Sequence, residues 1–320
     1  MPEPRDPLLE TCRDIIARGS KSFSGAARLF APDTRDAAYL LYAWCRYCDD
    51  QIDGETLGLR TGDPSHDEQG QRDRLQRLTD MTRRVLDGRN VDDPVFTALR
   101  RVVERYRIPA RYPLELLEGF AMDVESRRYD SLDEVLGYCY HVAGVVGMMM
   151  SHIMGVGDEA TQRRAADLGI ALQLTNIARD VIDDARVGRV YLPLSWLREA
   201  RLAPDELLAE GRRSCLAGVV ARLLREADRY YASGDLGIRR LPFRSAWAVT
   251  VARGVYWEIG RLVRRRGPAA WDERAVVPPT RKGYWLARGL ALATGAAVFG
   301  RVRRDGPRVG LWTRRLPGVD

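Results

Sequence analysis

The 320-residue chain has almost no lysine, since Lys21 and Lys282 alone stand beside the arginines that supply nearly all its basic charge. This is a compositional bias, so arginine runs say little about function. Five cysteines are too few and too unevenly numbered for a disulfide scaffold, and they fit a reducing compartment. Cys45 and Cys48 form a lone CxxC with no second pair, and His66, His141 and His152 lack partner spacing, so packing is favoured over zinc or dithiol chemistry. Long apolar runs are missing too. The best stretches, 289–300 and 142–150, are shorter than the roughly 18 residues that a membrane-spanning helix needs. No secretory signal is evident at the acidic, proline-bearing N-terminus, and the expected location is the cytoplasm, with peripheral contact at the inner face of the membrane. No sustained period-two segment and no tandem repeat occur, which argues against sheet folds and solenoids.

What is present is helical periodicity. Apolar residues recur at spacings of three and four over 8–29, 36–53, 72–86, 94–106, 113–127, 132–154, 160–184, 204–232 and 245–266. The expectation is an all-α, single-domain helical bundle around a central cavity. The chief irregular stretch, 54–70, is rich in Gly, Pro, Asp and Ser and is expected to cover the cavity mouth. Hydrophobic residues make up 45% and charged residues 30%, an ordinary folded composition that excludes disorder as the default. The formal charge of +7 is unevenly placed: residues 281–320 carry nine Lys or Arg and two Asp, 9 − 2 = +7, so the rest is formally neutral. That segment alternates apolar and basic blocks in RKGYWLARGLALATGAAVFGRVRR, as an interfacial helix does, which favours a lipid surface over nucleic acid.

Two acidic clusters carry the most information. Asp49, Asp50 and Asp53 lie in CRYCDDQIDG, and Asn176, Asp180, Asp183 and Asp184 lie in QLTNIARDVIDDA. On helices, a step of four residues is about one turn, so Asp49 and Asp53 share a face, as do Asn176, Asp180 and Asp184. Like charges at this spacing cost roughly 0.2–0.5 kcal/mol per pair, and both clusters stand near helix C-termini, where the macrodipole disfavours them. Something positive must compensate. Read backward in fours, the stripes become apolar, through Cys45, Leu41 and Ala37 on one helix and Leu172 and Leu168 on the other. Facing each other, they would line an apolar cavity with an acidic mouth. Mg²⁺ takes oxygen ligands and is commonly held by one or two carboxylates plus substrate phosphates. The matching guest has a diphosphate head and a long hydrocarbon tail.

Other motifs are weaker. GVGDEA at 155–160 fits a dinucleotide-binding pattern with Asp180 about twenty residues on, but the residues before it are helical in spacing, so a helix-to-helix turn is expected. Met148, Met149 and Met150 read as core, while Gly144 and Gly147 leave room for a neighbouring helix or a substrate chain. GSKSF at 19–23 offers donors and a cation suited to phosphate oxygens. Arg46, Arg179 and Arg189 adjoin the acidic columns, either as salt-bridge partners or as groups that hold a departing diphosphate.

Together these pieces resemble the squalene and phytoene synthase family, on its bacterial phytoene synthase side. YCYHVAGVVGMMMSHI (138–153) looks like one family signature and LGIALQLTNIARDVIDDARVGRVYLP (168–193) like the other, with SKSF, LYAWCRYCDDQIDG, GFAMDV and LPFRSAWAV in support. The resemblance spans about 10–285, which divides the chain into a helical prenyl synthase domain at 1–285 and a basic amphipathic tail at 286–320. It implies that Asp49, Asp53, Asn176, Asp180 and Asp184 hold Mg²⁺, with Mn²⁺ as a substitute, and that no NADPH is used. It makes Lys21, Ser22, Tyr42, Arg46, Gln173, Arg179, Arg189, Tyr191 and Tyr256 diphosphate and prenyl contacts, with Phe23 and Tyr138 in the cavity wall. The implied reaction joins two geranylgeranyl diphosphates head to head. The rival readings are a C30 synthase using farnesyl diphosphate and a non-catalytic protein that binds lipid surfaces or nucleic acid.

Overall fold

The computed structural model describes residues 6–19, 21–56, 59–60, 68–298 and 308–314, and most of them are helical. The N-terminal helix α1 (Pro7–Gly19) is followed by the short α2 (Lys21–Ala27), where the sequence pattern suggests one helix over 8–29. Gly19 ends α1 close to Tyr42: a Cβ there would stand 2.5 Å from the Tyr42 hydroxyl, which would have to shift.

α3 (Pro32–Asp53) starts with proline at its first position and stops at Gly54, whose φ of 64° and left-handed conformation cap the helix. That stop leaves the first acidic row on the last turns. Two antiparallel two-residue strands, β1 (Glu55–Thr56) and β2 (Leu59–Arg60), follow it. The rest of the expected irregular stretch, up to residue 67, lies outside the described residues, and so does its role at the mouth.

α4 (Glu68–Leu86), α5 (Pro94–Tyr106) and α6 (Arg111–Val124) pack along one side of the bundle. The next segment is interrupted: α7 (Leu132–Cys139) passes through one π-helical stretch (Tyr140–Gly144) before α8 (Val145–Ile153). α9 (Glu159–Arg186) is capped by Asp158, which accepts a hydrogen bond from the Thr161 amide at 2.8 Å, so the 155–160 segment is a helix-to-helix turn as expected.

α9 is the central element and contacts α7, α8, the π-helical stretch, α11 and α12. Its approach to α8 is unusually close. A Cβ on Gly147 would lie 2.3 Å from the Ala165 carbonyl oxygen, and one on Gly169 would lie 2.3 Å from that of Ala143. Beyond α9 come the short α10 (Leu194–Glu199), two 3₁₀ turns, α11 (Arg213–Ile238) and α12 (Phe243–Arg266). The sequence pattern starts α11 at residue 204, but Pro204–Leu208 and Glu210–Arg212 are 3₁₀ turns.

α13 (Pro279–Val298) lies against α12, and the expected boundary at 285/286 falls inside it. Glu258, only 1% exposed, receives hydrogen bonds from Arg261 at 2.7 Å, from Arg281 at 2.9 Å and from the Trp285 indole at 3.2 Å. A single buried carboxylate thus pins the first turns of α13. Among the described residues no helix is long and apolar enough to cross a membrane.

Candidate active site

The C-terminal halves of α3 and α9 line the mouth of a cavity of about 880 Å³, α3 through Arg46 and Asp49 and α9 through Asn176 and Arg179, while Asp53, Asp180 and Asp184 are not in its wall. The volume is toward the upper end of the roughly 300–1,000 Å³ usual for ligand sites. The apolar stripes run down its walls as the spacing predicts: Leu41 and Cys45 from α3, Leu168 and Leu172 from α9. The topmost α3 position differs, since Ala38 rather than Ala37 reaches the cavity. Val146, Met150 and Ile238 complete the far end.

The two acidic rows face one another across the mouth. Arg189, just past α9, reaches Asp53 on α3 at 2.5 Å and so bridges the rows. Asp123, from the end of α6, sits between them and accepts hydrogen bonds from the Tyr191 hydroxyl at 2.7 Å and the Tyr138 hydroxyl at 3.2 Å. Its charge acts on Asp49 and on Asp184 alike, which places it within electrostatic reach of both rows. Asp123 stands in the quoted GFAMDV segment, but nothing in its spacing marks it as a site residue. Its role comes from a tertiary contact.

Burial and mutual repulsion strain these carboxylates. Burial, then the neighbouring Asp53, pushes Asp49 up to about 7; burial, then Asp180, pushes Asp184 up to about 8. Burial raises Asp123 to about 6 against the opposing pull of Arg189. Charge held at such cost calls for a cation. Asp183, by contrast, is solvent-exposed and paired with Arg186 at 2.8 Å, and Asp50 turns to Arg46 at 2.6 Å. Helical phase separates the working acids from their sequence neighbours.

The donor set suits Mg²⁺. It is made of hard oxygens, and the buried Oδ1 of Asn176 has no hydrogen-bond partner while its Nδ2 donates to Gln173 at 3.2 Å. Among the described residues no three acidic, His or Cys side chains converge on one point, so each row by itself offers only part of a coordination shell. The remaining ligands would be water and phosphate oxygens.

Cations flank both rows. Arg46 also reaches Asp49 at 3.1 Å, and Arg179 grips Asp180 through two contacts at 2.8 and 2.5 Å. Arg274 approaches Asp180 at 3.6 Å from the loop before α13, and with Lys282 it lines the cavity rim. Sequence reading missed both as site residues, because neither lies on a periodic face.

Aromatic rings close the wall: Phe23 stacks on Tyr256 at 5.4 Å, and Tyr138 stacks on Tyr191 at 4.8 Å. Tyr42, Gln173 and Asn176 also line the cavity. The side chains of Lys21 and Ser22 lie outside the described residues.

Comparison with known proteins places the chain. The squalene/phytoene synthase family model matches residues 16–281. The phytoene synthase of Pseudescherichia vulneris is 46% identical over 309 residues, covering 96% of this chain and 98% of its own length. The 15-cis-phytoene synthase of Pantoea ananas is 45% identical over 311 residues, covering 97% and 98%. Among solved structures, a dehydrosqualene synthase in complex with a ligand superimposes with a TM-score of 0.80 at 25% identity, over 90% of this chain and 97% of that one. The squalene synthase HpnC of Alicyclobacillus acidocaldarius gives 0.71 at 25% identity, over 81% and 94%. An all-α isoprenoid synthase fold, two opposed acidic rows and this degree of identity make the chain a member of the squalene/phytoene synthase family.

Proposed function

We propose that the protein is a phytoene synthase, a prenyltransferase that joins two geranylgeranyl diphosphates through a cyclopropyl diphosphate and then ionises that intermediate to phytoene. The observation that carries this reading is the pair of acidic rows at the mouth of a deep apolar cavity, in a chain 45–46% identical to phytoene synthases over nearly its full length.

The residues divide the work by position. Asp49, Asp53, Asn176, Asp180 and Asp184 would hold Mg²⁺, which when bound stabilises the departing diphosphate as a Lewis acid. Arg46, Arg179, Arg189 and Arg274 stand where phosphate oxygens arrive, and guanidinium–phosphate hydrogen bonds are among the stronger ones. Breaking the allylic carbon–oxygen bond leaves a carbocation inside the apolar walls. Tyr42, Tyr138 and Tyr256 face that space, and a desolvated ring supports a cation by roughly 0.5–2 kcal/mol. The tyrosine stack at Tyr138 and Tyr191 and the ring pair of Phe23 and Tyr256 keep water from the cation, which would otherwise give an alcohol. The departed diphosphate takes the final proton.

The test is product analysis of the purified protein with C20 and C15 diphosphates, with and without Mg²⁺. Phytoene from the C20 substrate, lost on chelation and indifferent to NADPH, is expected. Product from the C15 substrate alone would instead assign the rival C30 reaction.

The product is wholly apolar and must leave into lipid. α13 exposes Tyr284, Leu286, Leu290 and Leu292 together with Arg288, a surface suited to an anionic bilayer. Peripheral membrane contact through this face predicts that Leu286→Ser/Leu290→Ser weakens sedimentation with anionic liposomes; unchanged sedimentation would remove α13 from that role.

A further inference from the structure

The basic C-terminal region does not act only outward. Beyond α13 its described part, residues 308–314, lies against the body of the protein and crosses the outer side of the cavity wall. Arg308 makes two hydrogen bonds to Asp167 of α9, at 2.8 and 2.7 Å, and Asp167 is 0% exposed. Ser233 of α11 donates to the same carboxylate at 2.5 Å and accepts from Arg164, a cavity-lining residue, at 3.2 Å. The chain from Arg308 thus runs through α9 and α11 to the cavity surface.

Trp312 extends the grip. Its amide donates to the Tyr230 hydroxyl of α11 at 2.9 Å, and its ring packs on Tyr140 of the π-helical stretch at 5.1 Å. Tyr140 donates to Glu115 of α6 at 2.8 Å, and Arg314 ion-pairs with the same buried glutamate. Four elements are therefore joined by seven residues. All four line the cavity, the π-helical stretch and α9 through Val142, Ala143, Ala165 and Leu168. Asp167 precedes Asp180 by thirteen residues, about 20 Å along α9, so the Arg308–Asp167 contact lies at the hydrocarbon end rather than the diphosphate end.

The geometry points to residues 308–314 as a clasp on the hydrocarbon end of the cavity, with Trp312 and Arg308 as positioning residues for the wall against which the far end of a prenyl chain packs. This rests on the prenyl diphosphate reading of the site. A clasped wall meets the last units of a C20 chain, whereas a C15 chain ends short of it. Releasing the clasp costs the longer chain its advantage and leaves the diphosphate end untouched.

The test uses the full chain with Trp312→Ala, which removes the ring without stranding a charge, with Trp312→Phe as the conservative variant, and with the paired Arg308→Met/Asp167→Asn. Each is melted with Mg²⁺ and inorganic diphosphate, and with Mg²⁺ and the S-thiolodiphosphate analogues of the C15 and C20 substrates. The wild type is expected to gain more from the C20 than from the C15 analogue. Trp312→Ala and the paired variant are expected to lose at least half of that difference, with the inorganic diphosphate increment unchanged and Trp312→Phe close to wild type. The ratio of kcat/KM for C20 over C15 falls roughly tenfold, the scale of one poorly seated hydrocarbon group.

An unchanged C20-over-C15 increment, whatever the melting temperature of the variants, overturns the clasp. So does a parallel loss of the inorganic diphosphate increment, which would report general loosening, or a wild type indifferent to chain length. Product formation by the wild type judges the proposed reaction separately, because the increments are read without turnover.

Discussion

Carboxylates crowd together, partly buried, at one end of α9 and are fully buried at the other, and the two ends treat them in opposite ways. At the mouth, Asp49, Asp123 and Asp184 crowd together and burial and repulsion raise all three, despite Arg46 and Arg189 nearby. At the far end, Asp167 and Glu115 are more completely buried, yet each has an arginine from the C-terminal segment against it. One end holds negative charge in excess of its partners and is poised for a cationic ligand. The other has its charge matched within the chain and is poised for nothing but packing. Burial alone does not separate a functional acid from a structural one; the surplus or balance of charge around it does.

The largest expected effect breaks the mouth. Asp184→Asn removes a charge that its neighbours already disfavour, so the metal-free protein should melt at the same temperature or higher. Turnover at saturating Mg²⁺ should fall by roughly 10³, since several kcal/mol of charge stabilisation on the leaving group is lost. A variant that unfolds while keeping its residual activity per folded molecule would reverse the assignment of this end.

The complementary change breaks the far end. Arg308→Met strands Asp167 at full burial, and breaking such a pair costs on the order of 3 kcal/mol or more in urea unfolding. Adding Asp167→Asn should recover most of that loss, because the Ser233 hydroxyl can still donate to the amide oxygen. If Arg308→Met alone shifts stability by under about 0.5 kcal/mol, this pair behaves like an exposed one and the contrast between the two ends fails.

A smaller effect sharpens the contrast within the wall itself. Gly147→Ala would place a methyl 2.3 Å from the Ala165 carbonyl oxygen, in backbone that cannot swing aside, and overpacking of this kind costs about 1–3 kcal/mol. Gly25→Ala meets nothing within 4 Å and should be neutral or stabilising by up to about 1 kcal/mol. Equal melting temperatures for the two variants would mean that α8 and α9 are free to separate.

The rows at the mouth were legible because a four-residue spacing of acids is a local property, and helical phase correctly set Asp183 apart from Asp184. The π-helical stretch was not legible. Residues 140–144 keep an apolar pattern that a regular helix fits equally well, and the widened turn coincides with close packing of Gly144 and Gly169 against neighbouring backbone. Asp123 and Arg274 escaped notice because each reaches the mouth through the fold rather than through a periodic face. The tail arginines were visible as charge and invisible as partners: Arg308 meets an aspartate 141 residues away and Arg314 a glutamate 199 residues away. Nothing local in a sequence encodes such pairing.

The smallest expected effect is the pH dependence of the metal-free protein, and its sign discriminates between the two ends. A carboxylate whose folded pKa is raised holds its proton in the native state after the unfolded chain has released it. Stability from that group is present below about 4 and lost as pH rises toward the folded value. Asp184 at about 8 and Asp49 at about 7 set the window, with Asp50, Asp53, Asp123, Asp180 and Asp183 opposing ionisation and Arg46 and Arg189 favouring it. Part of this is screened, since 42% of the Asp49 side chain is open to water. The net loss between pH 5.5 and 8 is then on the order of 1 kcal/mol. Thermal melting without Mg²⁺ should accordingly show a lower midpoint at pH 8 than at pH 5.5, and Mg²⁺ with diphosphate should raise the midpoint more at the higher pH. A midpoint that instead climbs with pH would mean that the mouth carboxylates are matched in charge like those at the far end.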